Sequence, residues 1–346
     1  MDTALGPLVA EVAARARRRG PLGYDEVLEL ALYDPDHGFY ATGGGAGRQG
    51  DFLTSPEVGP LFGAVVARAL DSWWRDLDGP EPFTVVEAGA GRGSLARAVL
   101  GAAPACRTAL RYVAVERSAA LRAQHPAEVD SAAELPSRPV TGIVLANELL
   151  DNLPFRLLEL GAEGWQEVRV DEHLTEVLTP DRSGAGERFA PDAPVGSRIP
   201  VQPGAAGCLA DALRLVARGR VVLVDYADST ASMARRPWTD WVRTYRGHGR
   251  GSHPLADLGR QDVTCEVAVD QLVAVRPPTA DRSQAEFLKA HGIDELAAAA
   301  RLAWQERAHV GDLQALVARS RVAEAAALTD QSGLGAFRVL EWAQGT

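Results

Sequence analysis

Three glycines at alternate positions, Gly89, Gly91 and Gly93, follow Glu87 and lead straight into the helical pattern of Leu95–Leu100. Such a turn presents backbone N–H groups at a helix N-terminus, where an anionic group can sit. Glycine suits it because a Cβ would hold a ligand off the backbone, and some turn positions require φ > 0. The spacing is G-x-G-x-G, whereas the dinucleotide fingerprint is G-x-G-x-x-G; a glycine turn that binds nothing is the alternative. Further polar residues close apolar runs downstream: Glu116, then Asn147, Glu148 and Asp151, then Asp225. An acid at a strand end beyond such a loop accepts hydrogen bonds from ribose hydroxyls. That is the expectation for Glu116, with the opening of the next helix as its alternative. If 147–152 coils helically, Asn147 and Asp151 share a face and Glu148 pairs with Asp151. Two carboxylates so close repel unless a cation or a shared proton lies between them. An Asn N-cap followed by solvated acids is the other possibility.

The elements that must carry these residues alternate between strand and helix. Thr84–Glu87, Arg111–Glu116, Thr141–Ala146 and Arg220–Asp225 have the length and apolar content of buried strands. Polar side chains at the C-terminal ends of parallel strands line the ligand crevice of an open α/β sheet. Gly335–Trp342 closes the chain as a last apolar strand. Residues 1–33 read as two helices broken by Gly20-Pro21-Leu22-Gly23. A glycine-rich loop then passes into Gly50-Asp51-Phe52-Leu53-Thr54-Ser55-Pro56-Glu57, a helix start with proline in its first turn and an acid at its positive end. The helix is expected to continue through Leu61, Phe62, Val65, Leu70 and Trp74. Capping alone accounts for Ser55, Pro56 and Glu57. Gly50, Asp51 and Phe52 are not required by a cap, and such a loop can close on a ligand.

Beyond Pro154, apolar alternation predicts antiparallel strands over 156–160 and 165–170. Residues 179–204, rich in Pro, Gly, Ser and Asp, are predicted to be irregular. Helices are expected over 205–217, 283–291, 295–308 and 312–328. Residues 228–262 interleave Trp238, Trp241 and Tyr245 with Arg243, Arg246 and Arg250, and are expected to cover an active site or to form part of a substrate surface. The expected division is 1–80 for N-terminal helices and the covering loop, and 81–154 for the binding core. An inserted segment at 155–204 follows, and 205–346 supplies the rest of the core with further helices.

The 346 residues carry a net charge of −10, which disfavours a nucleic-acid partner, since that needs lysines and arginines to displace counterions. No apolar run has the roughly 18–20 residues of a membrane span. Cys106, Cys208 and Cys265 are widely spaced and odd in number, so no disulfide framework is expected and a reducing cytoplasm fits. The arginines within residues 8–19 suit the last turn of a soluble helix.

Several of these stretches together resemble one family, the MidA-like methyltransferases, which are related to a mitochondrial assembly factor for respiratory complex I. The motifs are Gly38-Phe39-Tyr40, the Gly50–Val58 block, Glu87-x-Gly89-x-Gly91-Arg92-Gly93, Ala146–Pro154 and Val224-Asp225-Tyr226. Arg243-x-Tyr245-Arg246-Gly247-His248, Gly259-x-Gln261-Asp262-Val263-Thr264 and Gln284-x-Glu286-Phe287-Leu288 complete the set. The glycine loop with its glutamate resembles motif I of the class I S-adenosyl-L-methionine (SAM) methyltransferases, where it holds the methionine end of the cofactor. The resemblance implies an α/β class I Rossmann-like sheet, mostly parallel with an antiparallel last strand, together with N-terminal helices and an inserted α+β lobe. It also implies SAM as cofactor and a protein substrate, arginine in the mitochondrial relative. Carried onto this chain, it places Gly50, Asp51, Phe52, Thr54, Ser55, Pro56, Glu87, Gly89, Gly91, Gly93, Glu116 and Asn147 around SAM. Glu148 and Asp151, with Asp225 as a weaker third, are the candidates to grip an arginine. A small-molecule methyltransferase and a SAM-binding assembly chaperone are the competing functions. Where the family commonly has Ser-Gln and then a glutamate, this chain has Gly59-Pro60 and Ala64.

Overall fold

The computed structural model describes residues 6–42, 54–247 and 249–345. The chain forms two compact units. One comprises Leu53–Glu148, Asp211–Tyr226 and Pro278–Thr346; the other comprises Met1–Phe52, Leu149–Ala210 and Ala227–Pro277.

The first unit is built on a seven-stranded sheet: β1 (Phe83–Ala88), β2 (Leu110–Val115), β3 (Asp130–Ala132), β4 (Val140–Asn147), β5 (Val216–Asp225), β6 (Ala280–Ser283) and β7 (Arg338–Gln344). Its spatial order is β3-β2-β1-β4-β5-β7-β6. The pairs from β3 across to β5 are parallel, while β7 runs antiparallel to both β5 and β6. The sheet is thus mostly parallel with an antiparallel last strand, as expected. Its central strands are buried on both faces, every residue of β1 included, which is why they read as continuous apolar runs. The Pro60–Asp76 helix lays Leu61, Phe62, Val65, Val66, Leu70 and Trp73 into a core with Phe83, Val99, Ile143, Val222 and Phe287. Each such side chain contributes about 1.5–3 kcal/mol by leaving water.

The second unit carries a five-stranded antiparallel sheet from Leu22–Gly23, Arg156–Gly161, Gly164–Val170, Glu176–Pro180 and Arg198–Val201. Its N-terminal helices, Pro7–Arg19 and Tyr24–Tyr33, pack with Phe155, Leu157, Val168 and Trp241. Among the described residues, no helix is long and apolar enough to cross a membrane.

Four expectations change. The helix starting at Ser55 does not continue to Trp74: Ser55–Val58 ends at an extended Gly59, and Pro60 begins a separate helix. Proline lacks the N–H that continuation would require. Residues 147–152 do not coil as one helix. Asn147 ends β4, Glu148 takes a left-handed backbone, and only Leu150–Asn152 make a 3₁₀ turn. The stretch 179–204 is not irregular throughout: it holds the helix Ala185–Phe189 and the strand Arg198–Val201. Among the described residues that strand pairs with Arg156–Gly161 alone, so it tolerates Pro200 as an edge strand does. The sheet also contains β6, whose polar Ala-Asp-Arg-Ser sequence carries no strand pattern.

Candidate functional site

The C-terminal ends of β2, β1, β4 and β5 lie side by side, with Val115 paired to Ala88, Ala88 to Ala146 and Asn147 to Val224. This register brings Glu116, the glycine loop, Asn147, Glu148 and Asp225 to one edge of one sheet. The loop follows β1 directly. Gly89, Gly91 and Gly93 have φ of 70°, 53° and 76°, values that glycine adopts without penalty. Gly93 is the N-cap of the Ser94–Gly101 helix, so the loop delivers a helix N-terminus as expected. Among the described residues, a Cβ built on Gly91 would meet no atom within 4 Å other than those of its chain neighbours, so the loop has an open face there.

Glu87, near the end of β1, is buried and accepts a hydrogen bond from the Tyr112 hydroxyl at 2.7 Å. Burial pushes its carboxyl up from 4.5 to about 7, against the pull of the Tyr112 hydroxyl and the Ala96 backbone N–H. Glu116 stands just past β2. Its two carboxylate oxygens accept from Gly91 N–H at 3.0 Å and Ser118 N–H at 2.8 Å. It therefore both opens the following short helix and holds the glycine loop.

Glu148 has φ of 51°, in a region that costs a non-glycine residue about 1–2 kcal/mol. Its own N–H donates to the Val224 carbonyl at 2.8 Å. One carboxylate oxygen accepts from Ser55 N–H at 2.8 Å and Asn147 Nδ2 at 3.1 Å. Ser55 is fully buried, its hydroxyl donating to Gln284 Oε1 at 3.0 Å, and Gln284 in turn donates to the Leu328 carbonyl at 3.2 Å. The Ser-Pro-Glu helix start is thus tied to the end of β4, and Glu57 accepts a short hydrogen bond from Ser94 at the loop's helix. Thr54 is the N-cap without a side-chain capping bond, and Pro56 lies in the first turn. Asp225 is buried at the end of β5 and accepts from Tyr226 N–H at 3.0 Å. Gly50, Asp51 and Phe52 lie outside the described residues.

Asp151 belongs to the other unit and is buried in its 3₁₀ turn. Asn152 beside it donates to both oxygens of the buried Asp262 at 3.4 Å, and Tyr40 OH donates to Asp262 at 3.0 Å. Tyr33 stacks on Tyr40 and donates to the Asn152 carbonyl at 3.1 Å. Burial and the charges of Asp262 and Asp151 hold the Tyr40 phenol well above its usual range. Gly-Phe-Tyr, Asn-Leu-Pro and Gln-Asp-Val-Thr, far apart in sequence, meet in this cluster. Three arginines of 228–262 are engaged within the same unit: Arg236 and Arg243 pair with Glu266 at 2.7 and 3.2 Å, and Arg246 with Asp257 at 3.1 Å. Trp241 is a core residue whose indole N–H donates to the Met233 carbonyl at 3.2 Å.

Sequence reasoning missed Tyr112, Glu324 and His125. Tyr112 sat inside an apolar strand pattern, Glu324 inside an ordinary helix, and His125 beside a proline in a short loop, so none announced a partner. Glu324 is buried and accepts from Leu61 N–H at 3.0 Å, capping the restarted helix beside Gly59.

Comparison with known proteins agrees with this architecture. Residues 65–283 match the family described as "Putative S-adenosyl-L-methionine-dependent methyltransferase". A Drosophila melanogaster protein, "Protein arginine methyltransferase NDUFAF7 homolog, mitochondrial", is 29% identical over 76% of this chain and 68% of its own. The Xenopus tropicalis protein arginine methyltransferase NDUFAF7 is 25% identical over 85% of this chain and 77% of its own. A crystal structure from Burkholderia thailandensis, bound to S-adenosyl-homocysteine (SAH), superposes with a TM-score of 0.81 at 27% identity, covering 98% of this chain and 92% of that one. With the family matched over more than half its length, the chain belongs to the SAM-dependent methyltransferases of this MidA-like group, distant relatives of NDUFAF7.

Proposed function

We propose that this enzyme methylates arginine side chains of a protein partner. The carrying observation is Glu148, held in a left-handed backbone at the sheet edge by Ser55, Asn147 and Val224. Backbone strain of this kind persists only where the surroundings enforce it, and it concentrates at functional sites. The NDUFAF7 relatives, described as protein arginine methyltransferases, supply the acceptor class.

The residues fit the cofactor. Gly89, Gly91 and Gly93 offer backbone at a helix N-terminus with an open face at Gly91, suited to a carboxylate. Glu116 is the ribose acceptor. Asn147 Oδ1 is buried and accepts no hydrogen bond among the described residues, which suits a donor on the ligand. Thr54, Ser55 and Pro56 stand beside it through the bond from Ser55 to Glu148, and Gly50, Asp51 and Phe52 are proposed as cofactor-binding residues as well. When bound, SAM supplies a methyl group already activated by its sulfonium.

The chain's task is to orient the acceptor and exclude water. A guanidinium stays charged because its pKa exceeds ~12, and carboxylates orient it through paired N–H bonds while drawing its charge away from the reacting nitrogen. Glu148 takes that role, with Asp225 level with it on the neighbouring strand. Asp151 is proposed as a further acceptor-binding acid, in its own unit beside Asp262 and Tyr40. A cytoplasmic setting is proposed as well, consistent with an odd number of widely spaced cysteines, Cys106, Cys208 and Cys265.

The test is incubation with lysate proteins and methyl-labelled SAM, followed by mass spectrometry. Label on protein arginine is expected. Label confined to small molecules, or on another protein residue, overturns the corresponding part of the proposal.

A further inference from the structure

Gly91 is held at both of its backbone polar groups. Its N–H is taken by Glu116 at 3.0 Å, and its carbonyl lies 2.9 Å from Nε2 of His125. A carbonyl only accepts, so this Nε2 carries a proton. Nδ1 of the same ring is 2.8 Å from the Ser131 hydroxyl, which fixes the ring plane from its other side. A second strap runs in parallel: Arg97 donates to the Arg92 carbonyl at 2.6 Å and to the Gln124 carbonyl at 3.0 Å. Pro126 completes the grip, its Cδ lying 2.9 Å from where a Cβ on Gly93 would stand. Residues 124–131 therefore border the loop from Gly91 to Gly93, bonding it directly at Gly91 and through Arg97 at Arg92.

The peptide joining Gly91 to Arg92 is planar and trans, so its C=O and N–H point in opposite directions. Drawing the carbonyl toward His125 aims the Arg92 N–H the other way. We propose that His125 is a positioning residue for the cofactor. Its Nε2–H sets the orientation of the Gly91–Arg92 peptide, so that the loop presents an N–H donor to the anionic carboxylate of the cofactor's methionine half. The proposal rests on the reading that this loop holds that half of SAM.

Calorimetry with two ligands tests it: SAH, which contains the amino-acid half, and 5′-methylthioadenosine, which lacks it. His125→Phe keeps the ring volume but removes the donor. It is expected to weaken SAH about five- to tenfold, the worth of one hydrogen bond, and to leave methylthioadenosine within about twofold. His125→Gln places an amide N–H near the Nε2 position and is expected to restore most of the SAH affinity. His125→Asn reaches only the Nδ1 position, and it is expected to behave like His125→Phe and to replace it if the ring variant does not fold. Unchanged SAH affinity in both donor-deleted variants overturns the proposal. So does an equal loss for the two ligands, or a Gln variant no better than Asn. Failure of the wild-type protein to bind SAH would instead overturn the cofactor reading beneath it.

Discussion

Replacing Glu87 with glutamine should remove a specific pH dependence from the stability of the ligand-free protein. The carboxyl is buried at the base of the glycine loop, and burial raises it from 4.5 to about 7. The native state therefore binds a proton between those pH values where the unfolded chain has released it. Stability from this group is complete below pH 4.5, falls as pH rises and is lost above about 7. A rise from 4.5 to about 7 corresponds to about 3 kcal/mol. Glutamine has nearly the same shape, stays neutral and keeps an oxygen for the Tyr112 hydroxyl. Any cost of exchanging the second oxygen for an amide is independent of pH, so the slope isolates the ionisation. Urea denaturation of wild type and Glu87→Gln at intervals from pH 5 to 8.5 gives the difference directly. The variant should gain on the wild type by about 2–3 kcal/mol across that range, levelling off above pH 7.5. A flat difference, or one of opposite slope, refutes the reasoning.

Gly59→Ser should destabilise this chain by about 1–3 kcal/mol in urea denaturation. A Cβ there would stand within 2.5 Å of the Glu324 carboxylate and dislodge it from the Leu61 N–H. Glu148→Gln and Asp151→Asn should each lower methyl transfer to protein by about ten- to a hundredfold, the range for a lost charge-assisted hydrogen bond. SAH affinity measured by calorimetry should stay within about threefold of wild type.

The sheet was legible because its central strands are buried on both faces and its glycine loop needs left-handed backbone at Gly89, Gly91 and Gly93. Local chemistry alone encodes both. The strand-end positions of Glu87, Glu116, Asn147 and Asp225 followed from the same runs. What stayed hidden depends on contacts between distant segments. The break at Gly59–Pro60 is stabilised by Glu324, and the turn at Glu148 is held by Ser55 and the Val224 carbonyl, against helix-forming residues in its own neighbourhood. Gly-Phe-Tyr and Gln-Asp-Val-Thr were recognisable as motifs without any visible reason. The hydrogen bond from Tyr40 to Asp262, spanning 222 residues, supplies one.

The central claim is that the Gly89–Gly93 loop holds the cofactor, and Gly91→Asn tests it most directly. Asparagine tolerates the left-handed backbone at this position, and its Cβ would meet no atom of the described residues within 4 Å beyond its chain neighbours. Urea denaturation should therefore change by no more than about 1–2 kcal/mol, the cost of a left-handed non-glycine residue. Calorimetry should show one SAH site on the wild type and affinity at least about tenfold weaker in the variant. A folded Gly91→Asn protein that binds SAH as tightly as the wild type would contradict the account.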